Sequence, residues 1–272
     1  MKLYWERHGE GPPLLFINGT GGDLRKTPNV FDGPLVRHFE VLAHDQRGLG
    51  RSDKPEVPYT MADYADDAAG LLDEVGWPRC LVVGVSFGGM VAQELAIRYP
   101  ERVERLVLCC TSSGGAGGPS YPLHELFDLP MEERIRTTIG LSDLRCDAAW
   151  QAAHADEFEA ILAFQRAAAA VGLSDPGHDA GARRQLEARR GHDTYDRLPT
   201  ITAPTLVCAG RHDGIAPLRN CEVLAERIPG ARLEVFEGGH LFMLQDRRAW
   251  PAMIAFLQGS EAAGASDPTR TA

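Results

Sequence analysis

The sequence has no uninterrupted apolar run long enough for a membrane span or for the apolar part of a signal peptide. It also lacks an excess of basic residues, because 28 Lys and Arg stand against 38 Asp and Glu, a formal net charge of −10. Binding to nucleic acid or to an anionic membrane needs a positively charged surface. We therefore expect neither partner, and the sequence predicts a cytoplasmic protein.

Metal-binding patterns are also missing. No two cysteines stand at CxxC spacing, and no two histidines lie four residues apart on a predicted helix. Both patterns are typical of zinc or redox sites, so the sequence predicts no metal site. The six cysteines are even in number, but four lie in or beside apolar, strand-like runs: Cys80, Cys109, Cys110 and Cys208. Buried free cysteine behaves as a small hydrophobe, and we expect reduced thiols.

What the sequence does contain is an alternation of short apolar runs and helical segments. Apolar runs of strand length separated by helices indicate a parallel sheet with helices on both faces, so the predicted fold class is α/β. The first two strands are expected to form a hairpin around a turn rich in Gly and Pro. The predicted strands are 3–7, 14–17, 39–43, 80–85, 105–110, 204–209 and 233–236. The predicted helices are 59–75, with Thr60 as N-cap, 87–99, 218–228 and 241–257.

Residues 113–197 interrupt this alternation. The stretch opens with a run of Gly and Ser that is typical of a hinge, and it continues with helical segments but no convincing strand. We interpret 113–197 as a helical lid inserted into an α/β core formed by 1–112 and 198–258. Residues 259–272 are small and polar, and they are predicted to form a disordered tail.

Two side-chain patterns within the insertion have ordinary structural interpretations. The arginine pairs at 183–184 and 189–190 are interleaved with Glu187, so they are expected on a solvated helix face. Phe158, Leu162 and Phe164 are expected to pack inside the lid, because they follow helical spacing.

A Gly-x-Ser-x-Gly sequence occupies 84–88, directly after one predicted strand and directly before a predicted helix. A serine on such a sharp turn is crowded by the residues two before and two after it. Gly84 and Gly88 remove those side chains, and Ser86 is the candidate nucleophile. The alternative is a serine that only caps a helix in a Gly-rich turn.

Two later residues are expected at the same carboxyl edge of the sheet. His240 follows the last predicted strand, and Asp213 follows the strand before it. A serine hydroxyl needs a base to become nucleophilic, and a carboxylate can hold that base in the productive tautomer. We predict His240 as general base and Asp213 as its partner, with His212 as the rival to His240.

The negative charge of an acyl-transfer intermediate needs hydrogen-bond donors. The backbone N–H of Phe87 lies at the start of the predicted helix, and the Gly-rich loop 18–22 offers the N–H of Thr20. We predict these two groups as the oxyanion hole. Four flanking residues are expected to border the substrate: Asn18, Gly19, Leu241 and Phe242.

Taken together, the motif at 84–88, Asp213 and His240 in this order, and the loops 18–22 and 45–52 resemble the α/β-hydrolase superfamily. The resemblance implies hydrolysis of an ester, lactone, amide or carbon–carbon bond, with no metal or organic cofactor, and a helical lid. The loop 18–22 begins with Asn18, whereas the superfamily frequently has His-Gly there. An asparagine at this position is similar to the bacterial enol-lactonases and related small-ester hydrolases.

The sequence thus predicts a serine hydrolase that cleaves a small ester or lactone through an acyl-enzyme on Ser86. Carbon–carbon bond hydrolases and cofactor-free haloperoxidases of this fold share the same triad and stay open as alternatives. So does a ligand-binding module without turnover, because fold alone does not determine function. The sequence leaves open the substrate's identity and the oligomeric state, a homo-oligomer included.

Overall fold

One seven-stranded sheet organises the protein. The computed structural model describes residues 1–260, and its strands lie in the order β1-β3-β2-β4-β5-β6-β7. β1 runs antiparallel to β3, whereas all other neighbouring strands are parallel. The strands are β1 Tyr4–His8, β2 Pro13–Ile17, β3 Glu40–Asp45, β4 Cys80–Val85, β5 Val103–Cys109, β6 Thr205–Gly210 and β7 Arg232–Phe236. The predicted α/β class with a mostly parallel sheet is confirmed.

Nine α-helices accompany the sheet within residues 1–260. The first begins where the sequence predicts: Thr60 Oγ1 accepts from the N–H of Asp63, whose carboxylate accepts from the N–H of Thr60. The helices are α1 Met61–Glu74, α2 Phe87–Arg98, α3 Met131–Ser142, α4 Ala148–Ala153, α5 Ala155–Ala170, α6 His178–Arg190, α7 Leu218–Arg227, α8 Phe242–Gln245 and α9 Ala249–Leu257.

The core lies on both faces of the sheet, because successive side chains of a strand point to opposite faces. In β2, Leu15 and Ile17 pack on the side of α1, α2 and α7. Leu14 and Phe16 pack on the other side, with residues of α8 and α9. The sheet is therefore a rigid layer between two apolar clusters, and its carboxyl edge holds the loops that follow β2, β4, β6 and β7.

Two predicted elements are wrong. β1 and β2 do not form a hairpin, since β1 pairs with β3, and β2 lies between β3 and β4. The apolar β2 is buried on both faces in the sheet interior, while the half-exposed β1 occupies an edge. The predicted helix 241–257 is two helices, α8 and α9. Asp246 separates them, because its carboxylate accepts from the backbone N–H groups of Glu237 and Arg248.

Helices α3 to α6 lie between β5 and β6, in the predicted insertion. Between residues 113 and 197 the structure contains no strand, only an isolated bridge between Gly114 and Asp193. Phe158 and Leu162 pack in a separate apolar cluster of the insertion, whereas Phe164 is 50% exposed, against expectation. Of the predicted tail, residues 261–272 lie outside the described residues. No helix in the described chain combines the length and apolar character needed to cross a bilayer.

Candidate active site

Ser86 occupies a strained turn between β4 and α2. It is a non-glycine residue at φ 55°, a backbone conformation that costs free energy and that clusters at functional sites. A Cβ on Gly84 would lie 2.4 Å from the carbonyl oxygen of Gly88, and one on Gly88 would lie 2.0 Å from that of Ile17. Only glycine fits at either position, which is the steric reason for the predicted motif.

Three side chains meet at this turn through two hydrogen bonds. His240 Nε2 lies 2.9 Å from Ser86 Oγ, and His240 Nδ1 lies 2.7 Å from Asp213 Oδ2. All three residues are buried, with Ser86 and His240 each 8% exposed and Asp213 3% exposed. The structure therefore brings together the three residues that the sequence placed at the ends of β4, β6 and β7.

The loop after β6 orients the carboxylate of Asp213. Its Oδ1 accepts from the backbone N–H groups of Ile215 and Ala216 at 2.8 and 2.9 Å, which leaves Oδ2 for the imidazole. A carboxylate beside Nδ1 favours the tautomer that carries its proton there. Nε2 of His240 then presents its lone pair to the hydroxyl of Ser86, as a general base must.

His212, the rival to His240, faces elsewhere. Its Nε2 lies 3.4 Å from a carboxylate oxygen of Glu237, and its backbone N–H donates to Gly238 at 2.9 Å. The side chain is about one third exposed and makes no hydrogen bond to Ser86 within the described residues. It is a loop residue next to Asp213.

The loop after β2 approaches the nucleophile by its main chain. A Cβ on Gly19 would lie 3.4 Å from Ser86 Cβ, and the side chain of Gln46 holds the loop by donating to the carbonyl oxygen of Asn18 at 2.7 Å. Neither Thr20 nor Phe87 donates its backbone N–H to another group within residues 1–260.

One predicted substrate contact is wrong. Phe242 is fully buried in the core and stacks on Phe236, with ring centroids 5.1 Å apart, so it packs beneath the site. Its neighbour Leu241 is 39% exposed and directly follows His240. Asn18 and Gly19 lie in the loop beside Ser86, as the sequence indicates.

The sequence did not reveal how the insertion holds these loops. The residues at the end of α3 accept from two backbone N–H groups, with Ser142 bonded to His240 and Leu141 bonded to Gly214. On α6, Gln185 Oε1 accepts from the N–H of Gly21 at 2.9 Å. Main-chain hydrogen bonds of this kind leave no pattern in a sequence. Only Gln185, a polar residue on a helix face that the structure buries, could have signalled a contact.

One buried cysteine lies next to the paired acid and base. The Sγ of Cys110 lies within 4.8 Å of ligand atoms of Asp213 and His240, a group that could in principle hold a metal ion. Burial first, and the charge of Asp213 second, raise the pKa of the Cys110 thiol well above its usual value. Two members of this group already bond to each other, since His240 Nδ1 lies 2.7 Å from Asp213 Oδ2.

Comparison with known proteins places the chain in a family. The family model of the alpha/beta hydrolase fold matches residues 12–134. The chain is 33% identical over 255 residues to a poly(3-hydroxyalkanoate) depolymerase of Ectopseudomonas oleovorans, covering 90% of this chain and 84% of that protein. It is 31% identical over 268 residues to a 2-hydroxymuconate semialdehyde hydrolase of Pseudomonas putida, covering 90% and 86%.

A solved structure agrees with this placement. The enol-lactonase from Burkholderia xenovorans LB400 is 25% identical and has a TM-score of 0.77, with 94% of this chain and 96% of that chain covered. The resemblance seen in the sequence is thereby confirmed. The chain belongs to the α/β-hydrolase superfamily, and it is a hydrolase.

Proposed function

We propose that the protein is a serine hydrolase that cleaves a small ester or lactone through an acyl-enzyme on Ser86. The observation that carries this proposal is the continuous hydrogen-bonded path from Asp213 through His240 to Ser86. The positive φ of Ser86 adds to it, because a ligand-binding module has no need of a strained serine.

The proposed reaction has two halves that use the same groups. His240 Nε2 takes the proton of Ser86 Oγ as this oxygen attacks the carbonyl carbon, and Asp213 stabilises the imidazolium. The N–H groups of Phe87 and Thr20 donate to the oxyanion. His240 then protonates the departing alcohol oxygen, and in the second half it deprotonates the water that releases the acid.

The insertion at 113–197 has a proposed role as a lid over this site. The support is its set of contacts with the loops that bear the functional groups: Ser142 with the backbone of His240, and Gln185 with Gly21 beside Thr20. A lid in this position excludes water from the acyl-enzyme and shapes the substrate pocket.

Two relatives support the proposed bond class, and one favours a second candidate. The depolymerase and the enol-lactonase carry names that fit ester or lactone cleavage. The 2-hydroxymuconate semialdehyde hydrolase, 31% identical, favours hydrolysis of a carbon–carbon bond as the second candidate on the same residues.

The decisive experiment is hydrolysis of p-nitrophenyl esters of increasing acyl length and of a panel of small lactones, with wild type and Ser86→Ala. We expect wild-type turnover and a loss of kcat of about 10⁴-fold or more in the variant, because the nucleophile is missing. Circular dichroism and thermal melting check that the variant is folded. Full activity of folded Ser86→Ala would overturn the proposal. Wild-type silence on all esters and lactones, with turnover of 2-hydroxymuconate semialdehyde, would favour the second candidate.

A further inference from the structure

Two buried glutamines connect the insertion to the loop after β2. Gln185 lies on α6 and is 1% exposed, and Gln46 directly follows β3 and is 2% exposed. Gln185 Nε2 donates to Gln46 Oε1 at 3.3 Å. Gln46 Nε2 donates to the carbonyl oxygen of Asn18 at 2.7 Å, and Gln185 Oε1 accepts from the N–H of Gly21 at 2.9 Å. The two side chains therefore hold the loop 18–22 near both of its ends.

The main chain fixes which way each amide points. A peptide N–H can only donate and a carbonyl oxygen can only accept. Gly21 must therefore meet the oxygen of Gln185, and Asn18 must meet the NH₂ group of Gln46. Turning either amide over would replace both of its hydrogen bonds by contacts between like groups. The network has one arrangement, in which the two side chains depend on each other.

The helix that carries Gln185 docks through polar groups. Arg189 lies one turn later and was expected on a solvated face, but it is 6% exposed. It donates to the carbonyl oxygen of Tyr121 and to Ser120 Oγ, both at 2.7 Å, and no carboxylate within residues 1–260 pairs with it. Burying polar side chains costs free energy unless they are bonded. These hydrogen bonds therefore determine how α6 docks.

The loop that the glutamines hold lies against the turn of the candidate nucleophile. A Cβ on Gly19 would lie 3.4 Å from Ser86 Cβ, and a Cβ on Gly88 would lie 2.6 Å from the carbonyl oxygen of Asn18. The Asn18 carbonyl that accepts from Gln46 is thus packed beside the turn. A change in its direction would move the peptide units that follow it.

The N–H of Thr20 lies in the one peptide unit between the two that the glutamines hold. A peptide unit is planar, so the bond to the Asn18 carbonyl orients the unit 18–19, and the bond to the Gly21 N–H orients the unit 20–21. Thr20 adds no bond of its own, because neither its N–H nor its buried Oγ1 has a hydrogen-bond partner within residues 1–260. The direction of its N–H therefore depends on its neighbours.

Two further hydrogen bonds support the loop, and both are local. Lys26 Nζ donates to the carbonyl oxygen of Gly21 at 2.8 Å, and the N–H of Gly22 donates to that of Gly19 at 3.2 Å. The support from distant parts of the described chain comes from the two glutamines.

We propose that Gln46 and Gln185 are positioning residues of the oxyanion hole, which orient the N–H of Thr20 toward the oxygen of the tetrahedral intermediate. Through Gln185, this orientation depends on the docking of α6. The inference rests on the proposed hydrolysis at Ser86. Because an oxyanion-hole donor stabilises the transition state more than the bound substrate, the two glutamines act on kcat and not on KM.

The kinetic test uses Gln185→Met and Gln46→Met with the p-nitrophenyl ester that wild type hydrolyses best. Methionine is of similar length but cannot replace the amide's hydrogen bonds. We expect kcat to fall about 10- to 100-fold in each variant with KM nearly unchanged, because a misplaced donor loses much of its effect. The double variant should lose little more than either single variant, since the two amides act as a unit.

Gln93→Met is the matched control, because Gln93 is also a buried glutamine that joins the core to the insertion. It lies on α2, donates to the carbonyl oxygen of Ser112 at 3.1 Å and accepts from Thr194 Oγ1 at 2.6 Å. Its substitution should lower thermal stability, as the other two do, while kcat stays near the wild-type level.

An alkyl trifluoromethyl ketone separates positioning from a general loss of structure. Ser86 Oγ adds to its carbonyl carbon, the hydroxyl proton passes to His240, and the carbonyl oxygen becomes an oxyanion. The Ki of the ketone should rise in Gln185→Met and Gln46→Met by about the factor by which kcat/KM falls. The corresponding alcohol forms no oxyanion, and its Ki should stay unchanged.

Wild-type kcat in folded Gln185→Met and Gln46→Met would overturn the inference. An unchanged Ki of the ketone, or an equal loss of kcat in Gln93→Met, would do the same. If a methionine variant does not fold, Gln185→Asn and Gln46→Asn keep a buried amide but shorten its reach by one methylene, and the same results are expected. Failure of the proposed function appears differently, as undiminished ester hydrolysis by Ser86→Ala.

Discussion

Asp213 uses both carboxylate oxygens, one for two backbone N–H groups and one for the imidazole of His240. Asp213→Asn keeps the shape but removes the charge, and it favours the wrong imidazole tautomer. We expect kcat for ester hydrolysis to fall about 10⁴-fold with little change in thermal stability. His212→Ala is the matched control, because the neighbouring imidazole faces Glu237, and it should keep turnover near the wild-type level. A loss of kcat in His212→Ala but not in Asp213→Asn would contradict the assignment of Asp213 and His240 as the paired acid and base.

Two glycines allow the elbow to be tested by a matched pair of substitutions. Gly88→Ala would place a Cβ 2.0 Å from the carbonyl oxygen of Ile17, so we expect a loss of several kcal/mol or no folded protein. Gly70→Ala lies in α1 with open space around the added Cβ, and should stabilise by about 0.5–1 kcal/mol. Urea denaturation measures both, and equal effects would refute the steric argument.

Among the secondary-structure elements, the start of α1 depends on the shortest-range interaction, which is the capping box formed by Thr60 and Asp63. The hydroxyl of Thr60 satisfies one of the free N–H groups at the helix start, so Thr60→Ala should lower the free energy of unfolding by about 1 kcal/mol. Thr60→Ser retains the acceptor and should cost much less. Thr60 makes no hydrogen bond to the candidate triad within the described residues, and we expect ester hydrolysis to be unaffected in both variants. Equal stabilities of the Ala and Ser variants would show that the cap contributes nothing.

The contrast between α1 and the first two strands shows which elements a sequence predicts. The start of α1 depends on hydrogen bonds between residues three apart, so the short segment that contains Thr60 and Asp63 is enough to predict it. The pairing of β1 with β3 depends on contacts across about forty residues, and the short turn after β1 suggested a hairpin instead. The break between α8 and α9 at Asp246 also depends on a residue outside both helices. The carboxylate of Asp246 accepts from the backbone N–H of Glu237, which precedes α8.

We expect the whole molecule to lose stability in acid, because two of its histidines are buried. Burial lowers the pKa of His44 and of His192 to about 4, from a usual value of 6.5. Below pH 6.5 the unfolded chain takes up these protons while the folded chain does not, until the pH approaches 4. The free energy of unfolding should therefore fall as the pH drops through this window, by about 2 kcal/mol per histidine at pH 5.

Urea denaturation at pH 7.5 and pH 5.0 measures this dependence. His44→Gln removes one of the two groups, and its stability should decrease less between the two pH values than that of wild type. An identical pH dependence for the variant and wild type would show that His44 titrates normally in the folded protein.

The sequence by itself determined the α/β class, the seven strands and the residues of the candidate triad. Strand burial, the steric requirement for Gly84 and Gly88, and the position of Asp213 and His240 after successive strands are local properties, and parallel strands bring their carboxyl ends to one edge. Only the tertiary structure decided that Phe242 packs in the core, that Arg189 is buried without a counter-ion, and that α3 and α6 hold the site loops. Each of these depends on which surfaces meet, since burial and long-range hydrogen bonds belong to pairs of segments and not to either segment alone.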